Sequence, residues 1–261
     1  MLKKIIVLIC VGILSVGTLA GCKGKNQSTL ATIKDKKEMT FAMTGAYPPF
    51  NFIDEDGNLV GFDIDIATAI AEEMGVEAKP ITVEWDGIIG GLKGERFDMI
   101  IGSMAITEER LKQVNFSDPY YYDGAQFFAL AGSGLSSIED LKDGTVGVVT
   151  GTTFHDALKE MDNIGTILQF QSDVDNIMSV EQKRSDGLVT GYFVGLQAPV
   201  KYGVEIEPIG DFIYTEEIGI AMRKDDTDLL KEVNEALQEI IDNGTYKELS
   251  LKWFGTNILE K

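Results

Sequence analysis

The apolar positions follow two periods along the chain, one typical of strands and one typical of helices. Residues 39–43 alternate between apolar and polar side chains, which predicts a strand. The next predicted element is a helix over residues 61–74, where every fourth residue on one face is apolar: Phe62, Ile66, Ile70 and Met74. Two prolines in the intervening segment cannot continue the strand, so a loop separates strand from helix.

The same alternation of strand and helix continues to the end of the chain. Further strands are predicted over residues 81–83, 97–101, 126–131, 145–149, 166–170, 187–190 and 218–222, and further helices over 154–161, 174–183, 192–202, 228–241 and 245–254. This order is typical of an α/β fold with mostly parallel sheets flanked by helices. In such folds ligands bind at the carboxyl ends of the strands.

Arg110 follows one of these strand ends. A buried strand ends near residue 101, small residues follow, and Thr107 is expected to cap a helix whose first turn carries Arg110. A helix start exposes backbone N–H groups, and a guanidinium beside them forms a two-point clamp for a carboxylate. The competing interpretation is a surface salt bridge from Arg110 to Glu108, Glu109 or Asp118.

The first 21 residues indicate secretion. Lys3 and Lys4 precede an apolar run over residues 5–19, which is too short to span a bilayer comfortably and has the composition of a signal peptide. The run ends in Leu-Ala-Gly-Cys, which resembles a bacterial lipobox with Cys22 as the lipidated residue. We therefore expect an extracytoplasmic lipoprotein anchored to the membrane at Cys22. The alternative is an uncleaved signal anchor with a chance cysteine.

The charge of the chain excludes some partners. Removal of residues 1–21 takes away two of 23 basic residues and none of 42 acidic ones, leaving a formal charge of −21, so nucleic acid is not an expected partner. Residues 23–38 instead carry five lysines against two acids. We expect residues 22–38 to be a flexible tether, either next to an anionic bilayer or simply solvated.

The sequence offers little for catalysis or metal binding. His155 is the single histidine, and no thiol remains once Cys10 leaves with the signal and Cys22 is acylated. The acidic turn over residues 54–58 lacks the spaced ligands of a calcium loop. We predict no catalytic residues, no metal and no cofactor.

Five phrases in a fixed order carry a family resemblance. They are YPPFNF at residues 47–52, GFDIDIA at 61–67, WDGIIGGL at 85–92, ITEER at 106–110 and FSDPYY at 116–121. Over residues 39–255 the chain resembles bacterial solute-binding proteins for polar amino acids, the extracytoplasmic receptors of ABC importers. The resemblance implies a type II periplasmic-binding-protein fold: lobe 1 at 39–129 and 223–258, lobe 2 at 130–222, and two crossover strands. It also implies a monomer that hands its ligand to a membrane permease.

The resemblance assigns a ligand site. The residues implied are Tyr47, Trp85, Ser103, Met104, Ala105, Arg110, Thr153, Gly191 and Tyr192. Arg110 would pair with the ligand α-carboxylate with help from the Ala105 N–H group, and Ser103 would offer its carbonyl to the α-ammonium. Tyr47 and Trp85 would stack on the ligand side chain. From lobe 2, Thr153 would meet the carboxylate on closure.

Two positions depart from the family pattern. Gly191 stands where an aspartate that binds the ligand ammonium is expected, and Thr44 replaces an acid common in members with cationic ligands. The ligand is then a neutral or polar amino acid whose ammonium meets Ser103, Tyr192 and an acid such as Asp86, a modified or D-amino acid, or an organic acid. Other functions on this fold are a dehydratase acting on cyclic acids such as prephenate, and a sensory or adhesive lipoprotein.

Overall fold

The computed structural model describes residues 27–260. Its strands are β1 Glu38–Met43, β2 Ala46–Tyr47, β3 Asn51–Ile53, β4 Leu59–Val60, β5 Glu77–Thr82, β6 Met99–Ala105, β7 Val114–Phe116, β8 Tyr121–Leu130, β9 Gly144–Val149, β10 Ile164–Phe170, β11 Gly187–Gly191, β12 Ile206–Pro208 and β13 Tyr214–Arg223. Its helices are α1 Thr29–Lys36, α2 Phe62–Glu73, α3 Ile88–Lys93, α4 Glu108–Leu111, α5 Thr153–Lys159, α6 Asp173–Glu181, α7 Tyr192–Gly195, α8 Ala198–Tyr202, α9 Thr227–Asp242 and α10 Thr245–Phe254.

The strands form two groups joined through β8 and β13. Strands β5, β1 and β6 are parallel on one side, and β10, β9 and β11 are parallel on the other. The ten-residue strands β8 and β13 pair antiparallel with each other in the middle, β8 also with β11 and β13 also with β6. The predicted α/β fold of two lobes with two crossover strands is therefore confirmed.

Parallel strand ends bring separated segments together. The carboxyl ends of β1, β5 and β6 lie at one edge of lobe 1, and those of β9, β10 and β11 at one edge of lobe 2. The segments that follow these strands therefore meet between the lobes. This edge is where the sequence placed its candidate binding residues.

Residues 29–36 correct the predicted tether. They form helix α1, with Ser28 as the cap that accepts the Ala31 N–H at 3.2 Å, and Ile33 is only 1% exposed in the lobe 1 core. The Thr29 hydroxyl donates to Asp226 at 2.6 Å. The cap, the buried isoleucine and this hydrogen bond hold the helix on lobe 1, so a flexible tether is wrong for this part. The signal peptide and Cys22 lie outside the described residues.

The segment expected as one helix over residues 192–202 is two helices. Helix α7 ends at Gly195, and α8 begins at Ala198 with Pro199 in its first turn. Proline lacks the N–H that a continuous helix would need at that point, so it begins a new helix instead. Within residues 27–260, no helix has the length and apolar character needed to cross a membrane.

Each lobe has its own apolar core. Helices α2, α9 and α10 pack on lobe 1, where Tyr246 is 1% exposed and Leu249 and Trp253 are partly buried against the same cluster. These three residues of α10 therefore belong to the lobe 1 core. Lobe 2 is held by separate clusters built from β8, β9, β11 and their helices.

Candidate ligand-binding site

A cavity lies between the two lobes, with about 550 Å³ of space not filled by protein atoms, part of it open to solvent. Its lining residues are Thr44, Ala46, Tyr47, Trp85, Gly102, Ser103, Ala105, Arg110, Val149, Thr152, Thr153, Phe154, Gln171, Ser172, Asp173 and Glu216. Six of the nine residues expected to bind ligand are in this set. Both lobes and the crossover strand β13 contribute to the wall.

Arg110 is positioned by its own turn. The Thr107 hydroxyl accepts the Arg110 N–H at 3.1 Å, which confirms Thr107 as the cap of α4. The guanidinium Nη1 donates to the Ala105 carbonyl at 2.9 Å, at the end of β6. These contacts tie the cation to the rim of lobe 1 and leave its remaining N–H groups for a ligand.

The electrostatic surroundings of Arg110 suit an anion. Burial lowers its pKa, and the negative charge of Glu216 opposes that change, but a guanidinium stays charged under all ordinary conditions. In the part of the chain that the structure describes, no carboxylate lies within salt-bridge distance of Arg110; Glu109 pairs with Lys112 instead. The competing surface salt bridge is therefore wrong.

Trp85 spans the cleft. It follows β5 in lobe 1, its ring lies 5.5 Å from the Arg110 guanidinium carbon, and its Nε1–H donates to the Gly151 carbonyl of lobe 2 at 3.1 Å. Gly151 has φ 74°, a left-handed conformation that favours glycine. The lobe 2 turn is thus shaped to meet the tryptophan, and the lobes are in contact across the cavity.

Thr153 begins helix α5, but its hydroxyl is committed to Glu216. The Thr153 hydroxyl donates to one carboxylate oxygen of Glu216, which lies on β13 and is 9% exposed. Burial raises the pKa of Glu216, against the Thr153 hydrogen bond and the charge of Arg110, which lower it. Sequence reasoning passed over Glu216 because it lies among polar residues near the start of a crossover strand.

Gly191 has no room for a side chain. A Cβ atom added there would lie 2.6 Å from Asp123 Oδ2 and 2.6 Å from the Tyr47 hydroxyl oxygen. Asp123 is on β8, opposite the end of β11, and its other carboxylate oxygen accepts the Gly124 N–H at 2.8 Å. Burial raises the pKa of Asp123 to about 8. The space of the expected aspartate is therefore filled by two polar groups from elsewhere.

Tyr47 reaches from lobe 1 into the same region. Its ring stacks on Phe50 at 5.6 Å, and burial raises the pKa of its phenol, with the charges of Asp173, Asp123 and Glu216 acting in the same direction. A hydrogen bond with Thr190 lowers that pKa. The hydroxyl thus faces an acidic part of the cavity.

Asp173 is a buried acid that sequence reasoning missed. It is the first residue of α6, is 7% exposed, lines the cavity and accepts the Thr190 hydroxyl at 2.6 Å. Burial raises its pKa to about 6, while the Thr190 hydrogen bond lowers it. The available signal was its position just after a strand end, behind Ser172, which caps α6.

Ser103 is held in an unusual conformation by a buried acid. Its φ is 58°, and its hydroxyl donates to Asp63 at 2.9 Å. Asp63 is fully buried in the first turn of α2 and also accepts hydrogen bonds from Asn51 and Tyr120. Burial raises the pKa of Asp63 to about 6. This network fixes the backbone at the end of β6, where a ligand would meet it.

Three expected ligand-binding residues are not on the cavity wall. Met104 is 1% exposed and packs in the core behind β6. Gly191 lies behind the Tyr47 hydroxyl. Tyr192 faces the opposite side of the crossover strands, with its ring 5.3 Å from that of Phe212. The alternation of side chains along β6 and the turn at the end of β11 direct these residues away from the cavity.

The residues described contain no group of three or more histidine, cysteine or acidic side chains that could hold a metal ion. The cavity acids are spread over separate elements around a phenol and a guanidinium. Such an arrangement suits a ligand that carries both signs of charge.

The chain matches the model of bacterial extracellular solute-binding proteins, family 3, over residues 39–256. It is 31% identical over 252 residues to the L-cystine-binding protein TcyJ of Escherichia coli (strain K12), covering 95% of each chain. It is 33% identical over 250 residues to an L-arginine-binding protein of Pseudomonas aeruginosa, covering 92% of this chain and 96% of the relative.

A solved structure with the same fold is that of the ancestral amino acid-binding protein AncCDT-1, described as a precursor of cyclohexadienyl dehydratase. The TM-score is 0.81 at 37% identity, with 87% of this chain and 100% of that chain covered. The relatives are thus named for binding amino acids, and one is linked by descent to an enzyme.

Proposed function

The chain belongs to the bacterial extracellular solute-binding proteins of family 3, and on that premise we propose that it captures an amino acid for an ABC importer. Signal peptide 1–21 is removed, Cys22 receives the lipid, and the protein stays at the outer face of the cell membrane as a monomer. Lobe 1 takes residues 39–129 and 223–258, and lobe 2 takes 130–222. The loaded, closed form docks on the permease.

The observation that carries this proposal is the environment of Arg110. Its guanidinium is part-buried at the cavity wall, tied to the Ala105 carbonyl and backed by the Trp85 ring. A ligand carboxylate at this point gains charge-assisted hydrogen bonds to a part-buried guanidinium, where such bonds are stronger than in water. An α-carboxylate is shared by all amino acids, so the clamp serves the class rather than one member.

Closure follows from how the lobes are joined. The crossover strands β8 and β13 connect them, and the Trp85–Gly151 hydrogen bond links the two rims directly. A ligand held by Arg110 on lobe 1 and by lobe 2 groups binds the closed form better than the open one. That differential affinity shifts the population towards closure.

The ligand is a neutral or polar amino acid. Relatives are named for cystine and arginine, and the cavity of this chain holds polar side chains next to one aromatic wall. A modified or D-amino acid, and an organic acid, remain the alternatives that a binding panel must include.

A second candidate function is supported by two acids in the cleft. A dehydratase for a cyclic acid such as prephenate needs a protonated acid near its substrate, and burial raises the pKa of both Asp173 and Glu216. One structural relative is a precursor of such an enzyme. Incubation with prephenate, followed by absorbance of aromatic product, decides between enzyme and receptor.

The binding proposal is tested by calorimetry on Arg110→Ala with a panel of amino and keto acids. Loss of one or two charge-assisted hydrogen bonds of about 1.5–3 kcal/mol each predicts at least a tenfold weaker affinity for the best ligand. The matched control is Arg184→Ala, which removes an exposed arginine that lies over Phe170, outside the cavity. Binding by Arg110→Ala within threefold of wild type overturns the clamp.

A further inference from the structure

Two neighbouring side chains occupy the space that a side chain at Gly191 would need. Asp123 Oδ2 and the Tyr47 hydroxyl oxygen both lie 2.6 Å from where a Cβ would stand. A single substitution to aspartate therefore requires the Asp123 and Tyr47 side chains to move. If the ligand carries an ammonium group, its counter-charge has to come from another element.

Asp173 is placed to supply that charge. Its carboxylate accepts the hydroxyl of Thr190, the residue directly before Gly191, although it is carried by helix α6 and not by strand β11. It lines the cavity and is only 7% exposed to solvent. Among the residues described, no lysine or arginine lies within salt-bridge distance of it. A buried carboxylate without a cationic partner is a strong attractor for one.

Glu216 is the second acid of the wall. It is carried by β13 and is 9% exposed. Its carboxylate accepts the Thr153 hydroxyl, and the positive charge of Arg110 favours its ionised form. The cavity wall thus carries one guanidinium and two carboxylates. A ligand with only a carboxylate would add a third negative charge, whereas an amino acid brings a cation with it.

We propose that Asp173, assisted by Glu216, provides the counter-charge for the ligand ammonium in place of the side chain that Gly191 lacks. The site therefore takes ligands with a carboxylate and a protonated amine, and rejects the corresponding 2-hydroxy acids. This inference rests on the proposed function, because it assumes that Arg110 holds the carboxylate of the same ligand.

The two acids share a property that supports this role. Burial raises the pKa of Asp173 to about 6, and burial also raises the pKa of Glu216. Burial thus makes each carboxylate costly to keep charged without a cation beside it. A bound ammonium relieves that cost, which couples ligand charge to binding.

The test measures matched pairs by calorimetry at pH 7.5: L-arginine, L-glutamine and L-methionine, each against its 2-hydroxy analogue. The wild-type protein should bind the amino acid of its best pair about 30-fold or more tightly than the analogue, since losing a buried charge partner costs this much or more. Asp173→Asn should reduce that ratio to below about fivefold by weakening the amino acid alone. Glu216→Gln should reduce it less.

The control is Glu181→Gln, which removes an exposed acid from the other end of α6 and should leave the ratio unchanged. Equal binding of amino acid and analogue by the wild-type protein overturns the inference while the Arg110 clamp stands. An unchanged ratio in both Asp173→Asn and Glu216→Gln also overturns it. Failure of every compound to bind overturns the proposed function and this inference together.

Discussion

The two ends of the cavity are built in opposite ways. At the carboxylate end, Arg110 is held by Thr107 and Ala105, its neighbours within five residues along the chain. At the acidic end, Asp173 meets Thr190 from a different element, and Glu216 arrives from β13. The first end is a local turn, and the second exists only once lobe 2 and a crossover strand are assembled.

This difference explains how one end can change while the other stays constant. A clamp made within one turn keeps its geometry whatever the other lobe does. An acid set drawn from several elements can take its charge from a different element, and in this chain the space beside Gly191 is occupied by Asp123 and Tyr47. Ligand selectivity is then expected to vary at the acidic end.

The largest effect is expected from restoring the acid of the family pattern. Gly191→Asp forces a side chain into Asp123 Oδ2 and the Tyr47 hydroxyl, each 2.6 Å from the new Cβ. We predict a loss of about 1–3 kcal/mol in the free energy of unfolding, typical of overpacked sites, together with weaker ligand binding. Urea unfolding followed by tryptophan fluorescence measures the first, and calorimetry the second.

The matched control is Gly90→Asp, since a Cβ at Gly90 has no neighbour within 4 Å and its φ is not left-handed. It should change stability by less than half as much. The double variant Gly191→Asp with Asp123→Gly should recover part of the loss, because one colliding atom is gone. A stable, better-binding Gly191→Asp would break the comparison, since the acidic end would then differ from the family by one residue alone.

Most of the fold could be predicted from sequence because its elements are locally encoded. Apolar periodicity places most of the strands and helices of both lobes, and the small residues after β6 and β9 place the turns. Helix α1 was missed because its eight residues fully bury only Ile33 and are otherwise docked by contacts such as Thr29 to Asp226, which periodicity cannot detect. The break between α7 and α8 is a proline effect within an apolar stretch.

The site divides along the same line. Arg110 and Trp85 follow strand ends and Ser103 lies near the end of β6, so their place at one rim follows from a parallel sheet. Asp173 also follows a strand end, but nothing in the sequence marks it or Glu216 as a cavity acid, because their importance comes from burial and from the position of Thr190 and Thr153 in space. Met104 and Tyr192 were expected at the cavity, but side-chain direction at a strand end depends on register.

A moderate effect is expected from pH. Burial raises the pKa of Asp173 to about 6, and its carboxylate faces Thr190, Tyr47 and Tyr202. As the pH falls through 6, Asp173 takes up a proton. A ligand ammonium must then displace this proton, so the affinity for an amino acid falls below pH 6. One such group predicts a loss of about tenfold between pH 7.5 and pH 5. Glu216, whose pKa is also raised, acts with the same sign.

The measurement is calorimetry across this range in buffers of different ionisation enthalpy, which also counts the protons released on binding. Asp173→Asn should flatten the curve. An affinity that is constant or increases on acidification, with no proton release, would show that the acidic end does not contact a cation. Arg110 at the carboxylate end would then be the one charged contact with the ligand.

The smallest effect on affinity is expected at Thr153. Its size shows whether Thr153 belongs to the carboxylate end or to the acidic end of the cavity. The family resemblance assigns its side chain to the ligand carboxylate, whereas in the structure the hydroxyl binds Glu216. If it only holds Glu216, Thr153→Val should weaken the best amino acid about threefold, in keeping with a hydrogen bond between protein groups. A direct contact with the carboxylate predicts a loss of tenfold or more. Thr153→Ser retains the hydroxyl and should bind like wild type. If Thr153 and Glu216 act as one unit, Thr153→Val should have little further effect on affinity in a Glu216→Gln background.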